Sequence, residues 1–222
     1  MGPQAGGGVN AGAVLRLQDA AAHTDEMNPD DAYLAGLDFF DYTVTRFPAD
    51  AWQNTSPCAG WNAIDVLGHI GSAVGFGTEL LDGISSGTTP DWVPVDPPGQ
   101  AVTGDAAAWW HALLSPARNA VRHVDMTQMV DTPVGQRSVA EGLAFPAIDL
   151  FVHAWDLGRA GELDVEIPQQ AIDFSRAAVV GIPDTQLRSP QVFAAEVAPG
   201  SNATQSERFI AWTGRDPNWA LP

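Results

Sequence analysis

Apolar residues recur three and four positions apart along several stretches of the chain, which is the spacing of one face of an α-helix. The first stretch follows Asn28, which can cap a helix, and Pro29, which suits the first helical position; Pro48 ends it. Its apolar positions are Tyr33, Leu37, Phe40, Val44 and Phe47. This pattern predicts a first helix with one face turned to a bundle interior.

The second stretch predicts a helix that begins at the capping-box pair Asn62 and Asp65 and ends at Gly83. Its apolar face contains Val66, Ile70, Ala73, Gly77 and Leu81, and His69 lies beside that face. Residues 84–104 are rich in proline and glycine and are predicted to form a long connection. Loops of this length often act as a lid or a pocket wall.

Two further bundle helices are predicted in the middle of the chain. One runs from Asp105 to about Val124, with Pro116 bending or interrupting it. The other begins at a second capping box, Ser138 with Glu141. Pro146 falls inside this fourth helix and, because it cannot donate a backbone hydrogen bond, predicts a kink just before Asp149.

The C-terminal part of the chain shows weaker patterns. Pro168 is suited to begin a fifth helix that continues through Val179, and residues 191–197 are predicted to be a short extended segment. Ser201 or Asn202 is predicted to cap a last helix, through Trp212 to Gly214.

These elements together predict an all-α fold, a four-helix bundle with long connections and a small C-terminal extension. We expect residues 1–27, rich in glycine and alanine, to be a mobile N-terminal extension, and residues 28–222 to form one metal-binding helical bundle.

Charge and composition exclude several classes of function. The net charge is −17, and because the chain contains no lysine, its ten basic residues are all arginines. Such a charge repels phosphate backbones and anionic lipids, so we expect no nucleic-acid or membrane partner. The single cysteine excludes an internal disulfide bond. With no signal peptide or spanning segment evident, we predict a cytoplasmic monomer or homodimer that acts on a small molecule.

The pair Asp149 and His153 carries the most specific chemical signal in the chain. Four positions apart on an apolar helix, the two side chains project from one face. With His69 from a facing helix they supply two nitrogens and one oxygen, the ligand set of open zinc sites and of non-haem iron oxygenases. The alternative is a core histidine beside a surface aspartate. Asp65 and Asp156, each about one turn from a histidine, are candidates to orient the imidazoles.

Three further residues are considered as site residues. Trp61 and Trp155 are candidates to line a pocket, with core packing as the alternative. Cys58 could in principle serve as a nucleophile, but no basic residue is near it in the sequence, and buried cysteines are usually inert. The catalytic residues are therefore left unassigned.

Three motifs in order carry a family resemblance. The first is Trp52, then Pro57-Cys58-x-Gly60-Trp61, then Asp65-x-x-x-His69. The second runs from Asp149-x-x-x-His153 to Ala160, and the third from Arg208 to Pro217. Over residues 28–222 the chain resembles the DinB-like metalloproteins, and more narrowly the actinobacterial mycothiol-dependent maleylpyruvate isomerase-type metal-binding domain.

The resemblance implies a four-helix bundle with one divalent metal ion, zinc by preference and nickel or iron as alternatives. It implies His69, Asp149 and His153 as ligands and a low-molecular-weight thiol such as mycothiol as co-substrate. Two features depart from the isomerase: Asp149 stands where that enzyme has glutamate, and its separate C-terminal domain is not evident here.

Several functions remain open on the sequence. The resemblance favours a thiol-dependent transferase or isomerase acting on a small electrophile. The ligand set alone also suits a metal-dependent hydrolase or a non-haem iron enzyme, and a non-catalytic bundle that binds a metal or small ligand is the further alternative.

Overall fold

The computed structural model describes residues 27–87, 93–132, 135–189 and 192–222. The predicted N-terminal extension, apart from Met27, lies outside these residues, as does the middle of the 84–104 connection. In chain order the elements are α1 (Pro29–Arg46), α2 (Ala63–Ser86), a 3-10 helix (Pro98–Ala101), α3 (Ala106–His123), β1 (Met129–Thr132), β2 (Gly135–Ser138), α4 (Val139–Gly142), α5 (Ala144–Ala160), α6 (Gln169–Ala178), α7 (Asp184–Leu187) and α8 (Gln205–Trp212).

Helices α1, α2, α3 and α5 form the four-helix bundle, which confirms the predicted all-α fold. Helices α1 and α2 each pack on both α3 and α5, so the two consecutive helices occupy opposite corners of the bundle. The apolar face predicted for α1 is the buried one, and Leu37, Phe40 and Val44 lie at the centre of the core. The bundle thereby places α2 directly against α5.

Helices α1 and α3 begin where the capping residues predicted. The side chain of Asn28 accepts a hydrogen bond from the backbone N–H of Asp31 at 3.0 Å, and Asp105 accepts one from Ala108 at 2.8 Å. Helix α3 continues through Pro116 without ending. Since each cap pairs a backbone donor that the helix leaves unpaired, these local signals are sufficient to fix both starting points.

Helix α2 is longer than predicted, because it ends at Ser86 rather than Gly83. Gly87, at φ 75°, supplies the left-handed residue that ends the helix. The connection that follows is partly ordered against α2, since a Cβ atom at Gly68 would overlap the carbonyl oxygen of Pro98 in the 3-10 helix. The described end of this connection is thus packed against α2.

The helix that carries Asp149 is divided. The capping box of Ser138 and Glu141 begins α4, which ends at Gly142, and α5 begins at Ala144 after a turn at Leu143. Pro146 accounts for the break, because it has no N–H for the carbonyl of Gly142. The antiparallel hairpin of β1 and β2 that precedes α4 was not predicted, since no apolar alternation marks it.

The C-terminal segments cover the bundle. Helix α6 follows Pro168 as predicted, whereas α8 is capped by Thr204, which pairs with Glu207 in a capping box, and the predicted caps at positions 201 and 202 were wrong. Residues 192–197 run without a paired strand, and the short α7 was not predicted. Phe209 and Ile210 of α8 belong to the same hydrophobic core as the bundle. In the described part of the chain, no helix has the length and apolar character needed to cross a membrane.

Candidate metal centre

Helices α2 and α5 bring His69, Asp149 and His153 together. The carboxylate of Asp149 lies between the two imidazoles, with Oδ2 at 3.1 Å from His69 Nε2 and Oδ1 at 3.4 Å from His153 Nε2. The side chains of His69 and Asp149 are 33% and 44% exposed, whereas that of His153 is 8% exposed. The cluster is therefore anchored in the bundle and open on one side.

The local sequence explains this placement. Asp149 and His153 are one helical turn apart on α5, so their side chains share a face. His69 lies on α2, which packs against α5. Although Asp149 has a shorter side chain than glutamate, it reaches both imidazoles.

The indole ring of Trp61 lies beside the two imidazoles. The ring centre of Trp61 is 5.1 Å from that of His69 and 6.2 Å from that of His153, so Trp61 lies beside the cluster. Trp155 is instead part of the hydrophobic core, where the guanidinium of Arg159 lies 5.5 Å from its ring centre. Of the two pocket candidates, the structure brings Trp61 to the cluster and places Trp155 in the core.

The second ring nitrogen of His153 faces a buried carboxylate. Nδ1 lies 2.8 Å from Oδ2 of Asp156, whose side chain is fully buried. Arg215, near the C-terminus, donates from Nε to both oxygens of Asp156 at 2.8 and 2.9 Å. Although burial opposes ionisation, Arg215 above all, together with His153, holds the pKa of Asp156 well below its usual range.

Arg215 was not identified as a site residue from the sequence. Its only sequence signal is its place in the third motif, between Gly214 and Asp216. No local pattern connects a residue after the last helix with position 156 on α5, because their contact arises from tertiary packing alone.

Cys58 lies near Asp156, on the Nδ1 side of His153. Its Sγ donates to Asp156 Oδ2 at 3.2 Å and lies 3.7 Å from His153 Nδ1. Burial raises the pKa of the Cys58 thiol, and the charge of Asp156 raises it further, which outweighs the opposite effects of His153 and Arg215. The thiol is therefore a neutral hydrogen-bond donor, and its chemical neighbours are supplied by the fold rather than by adjacent sequence.

The carboxylate of Asp65 binds backbone groups rather than the imidazole of His69. One of its carboxylate oxygens accepts from the backbone N–H of Asn62 at 2.9 Å, and the other from that of Gly99 at 2.9 Å. These bonds begin α2 and attach the 3-10 helix to it. The structure therefore assigns both oxygens of Asp65 to backbone groups and not to an imidazole.

The open cluster has the electrostatics of a preformed ion pair. Desolvation opposes the charge of Asp149, but the charges and hydrogen bonds of His153 and His69 outweigh it and hold the pKa of Asp149 well below its usual range. Desolvation would also lower the pKa of His153, yet Asp149 foremost, with Asp156, raises it well above the usual value. When no metal is bound, these opposite pKa shifts favour an ionised Asp149 and a protonated His153.

Two overlapping groups of donor atoms in the described residues could hold a metal ion, and both include His153. One is His69, Asp149 and His153; the other is Cys58, His153 and Asp156. In the second group Arg215 already neutralises Asp156, and both His153 and Asp156 are buried. In the first group the donors lie at separations suited to ligands about 2.0–2.2 Å from one shared ion, with an exposed side for a further ligand. The first group therefore fits a metal ion better.

The chain belongs to the family of the mycothiol maleylpyruvate isomerase N-terminal domain, whose model matches residues 33–158. This confirms the predicted family. Two uncharacterised proteins from two strains of Mycobacterium tuberculosis are each 25% identical over a 199-residue alignment that covers 85% of this chain and 98% of theirs.

Solved structures show the same fold. The structure of the mycothiol-dependent maleylpyruvate isomerase is similar with a TM-score of 0.55 at 16% identity, and that of a histidine-to-alanine mutant has a TM-score of 0.55 at 14% identity. Each alignment covers 66% of this chain and 65% of the isomerase, so the chain spans slightly less than two thirds of that enzyme's length.

Proposed function

We propose that this protein is a metal-dependent enzyme that uses a low-molecular-weight thiol of the mycothiol type to transfer or isomerise a small electrophile. The observation that carries the proposal is the open cluster of His69, Asp149 and His153 on two facing helices. Membership of the mycothiol maleylpyruvate isomerase N-terminal domain family supports the choice of a thiol as co-substrate.

His69, Asp149 and His153 would hold a divalent ion, and the chemistry of this donor set suits zinc, nickel or iron. Such an ion lowers the pKa of a thiol bound to it and so makes a thiolate nucleophile available at neutral pH. The partial exposure of His69 and Asp149 leaves the thiol a route to the cluster.

The chain's own residues prepare this site. Asp156 accepts a hydrogen bond from Nδ1 of His153. This bond fixes the ring so that Nε2 faces Asp149. Arg215 keeps Asp156 ionised, and Trp61 packs beside both imidazoles and limits their rotation. This arrangement costs no rearrangement when a ligand arrives, because the ring is already oriented.

Cys58 is not the nucleophile in this proposal. Its raised pKa keeps it protonated, and its Sγ is engaged with Asp156 on the buried side of His153. The reactive sulfur is therefore expected to come from the thiol co-substrate.

Metal analysis of protein purified without an affinity tag or chelator tests the proposal. We expect about one zinc, nickel or iron ion per chain, lost in His69→Ala, Asp149→Ala and His153→Ala while the helical circular dichroism signal persists. His111→Ala is the matched control, because His111 pairs with Asp41 on the surface of α3 and should leave the metal content unchanged.

Thiol consumption then tests the reaction. With the metal-loaded protein, mycothiol and a panel of small electrophiles, we expect loss of free thiol above the uncatalysed rate, or thiol-dependent isomerisation of the electrophile. Wild-type protein that stays empty after dialysis against each metal would overturn the metal site. Oxygen uptake with bound iron and no thiol requirement would instead identify the non-haem iron alternative.

A further inference from the structure

A cavity of about 280 Å³ opens beside the candidate metal centre, between α2 and α5. Asp149 lines it, and so does Ile70, the residue that follows His69. Most of its wall is apolar, and includes Val74 and Leu81 from α2, Leu150 from α5 and Phe193 from the C-terminal segment. A molecule in this cavity would therefore lie against the cluster that is proposed to hold the thiol.

The charge of the wall restricts what the cavity can accept. Among the described residues that line it, Asp149 and Tyr33 are the only ionisable ones, and none is an arginine or a histidine. In the apolar part of the cavity, away from Asp149, a carboxylate transferred from water would lose its hydration without gaining a cationic side chain from the described wall. The cavity is thus poorly suited to a dicarboxylate and well suited to an uncharged, apolar molecule.

Tyr33 is a polar residue in the wall of the cavity. The residue is only 3% exposed, and no described residue forms a hydrogen bond with its hydroxyl. Because the described chain holds no fully buried polar side-chain atom without a partner, the Tyr33 oxygen retains some accessible surface, and the cavity is the space that this residue lines. Burial raises the pKa of Tyr33, so the hydroxyl keeps its proton and can donate. Buried hydroxyls are normally paired, and this one is left for a ligand.

We propose that this cavity is the electrophile subsite, that its ligand is an uncharged apolar α,β-unsaturated carbonyl compound, and that Tyr33 donates a hydrogen bond to the carbonyl oxygen. The proposal rests on the proposed function for the source of the thiol. It assigns the substrate class and a substrate-binding residue that the metal cluster by itself does not indicate.

The chemistry balances as the addition of a thiol across a carbon–carbon double bond. The thiolate sulfur forms a bond to the β-carbon, and the π pair of the double bond moves toward the carbonyl oxygen, where the Tyr33 O–H stabilises the developing negative charge. The proton lost by the thiol ends on the α-carbon. No oxidant or reductant is required.

Binding of unreactive probes tests the cavity without turnover. The probes are 4-phenylbutan-2-one, a saturated ketone; butylbenzene, which lacks the carbonyl; and maleate, a dicarboxylate. Affinities are measured by ligand-observed NMR with the protein as purified, and again with His69→Ala, which removes a proposed metal ligand that does not line the cavity. Binding can thus be compared with and without an intact metal cluster.

Two glycines on α2 allow a matched pair of variants. A Cβ at Gly77 would meet nothing within 4 Å and would project into the cavity that Gly77 lines, whereas a Cβ at Gly75 would meet Leu113 Cδ2 at 3.9 Å. Gly77→Ala and Gly75→Ala therefore gain the same helix propensity, and only the first enters the cavity. Gly77→Leu fills it further.

We expect wild-type protein and Gly75→Ala to bind the ketone and butylbenzene but not maleate. Gly77→Ala should weaken both, and Gly77→Leu should remove both. Tyr33→Phe should raise the Kd of the ketone about fivefold and leave that of butylbenzene unchanged, since one hydrogen bond is lost.

Ketone binding that is unaffected by Gly77→Leu would overturn the cavity assignment, and equal effects of Tyr33→Phe on both probes would overturn the role of Tyr33. Displacement of the ketone by maleate would overturn the substrate class. Because His69→Ala should still bind the ketone, failure of the metal and thiol chemistry would leave these results intact, and the two proposals fail separately.

Discussion

The two ring nitrogens of His153 face two clusters that contain similar groups and differ in charge balance. On the Nε2 side, Asp149 and His69 are partly exposed, and no described arginine forms an ion pair with the carboxylate. On the Nδ1 side, Asp156 is fully buried and Arg215 occupies both of its oxygens. Proximity of donors is therefore a poor guide to a metal site, because the compensating charge decides whether a cation is still needed.

The largest expected effect is on stability and concerns the buried Nδ1 side of His153. Arg215→Ala leaves the ionised Asp156 without its main partner inside the protein, so we expect a loss of about 3–5 kcal/mol in the free energy of unfolding, measured by urea denaturation. Arg118→Ala is the control, because its partner Asp38 is largely exposed, and should cost less than about 1 kcal/mol. Equal losses in the two variants would contradict the distinction.

The next effect connects the two sides of His153. Asp156→Asn keeps the shape of the side chain but weakens its hold on Nδ1, so we expect metal affinity to fall about 10–100-fold while all three proposed ligands remain. Competition with a fluorescent chelator measures this change. An affinity equal to that of the wild type would show that Asp156 stabilises the fold without orienting the ring.

Proton release provides a third test of the open side. Because the pKa of His153 is raised in the metal-free protein, a bound metal must displace its Nε2 proton, whereas Asp149, whose pKa is lowered, is already ionised. We expect affinity to rise by up to about tenfold per pH unit below the raised pKa of His153, and to level off above it. Calorimetry in buffers of different ionisation enthalpy counts the released protons, and a count of zero near neutral pH would contradict a protonated His153.

The smallest effect is expected at Cys58. Cys58→Ala removes a neutral thiol that donates to Asp156, so we expect a stability loss of about 1 kcal/mol and unchanged metal content and turnover. Thiol consumption by the metal-loaded variant is the measurement. Loss of activity with the metal retained would make Cys58 a participant in the reaction.

The sequence was informative wherever a signal is local. Asn28 and Asp105 fix the starts of α1 and α3 because each pairs a backbone donor only three residues away. The break before α5 follows from Pro146 for the same reason. Asp149 and His153 could be paired in advance because one helical turn separates them.

Less was predictable where a boundary depends on competing signals. Gly83 is tolerated inside α2, since packing of the helix on α3 and α5 outweighs the low helix propensity of glycine, and the helix continues to Ser86. The cap of α8 was placed too early because positions 201, 202 and 204 are all capable caps, and Glu207 completes the box only with Thr204. Local rules propose several ends, and tertiary contacts select one.

By itself the sequence determined the helical bundle and the family motifs and placed Asp149 and His153 on one helix face, because helical periodicity and capping act over a few residues. It also predicted that His69, on a second helix, would join them. Only the tertiary structure decided which carboxylate orients His153, that Arg215 neutralises it, and that Tyr33 lines a cavity beside Asp149. Asp156 and Arg215 are 59 positions apart, and Tyr33 and Asp149 are on different helices, so no local pattern connects either pair. Asp156 is only three positions from His153, but its burial, which sets the cost of an unpaired charge, exists only once the chain has folded.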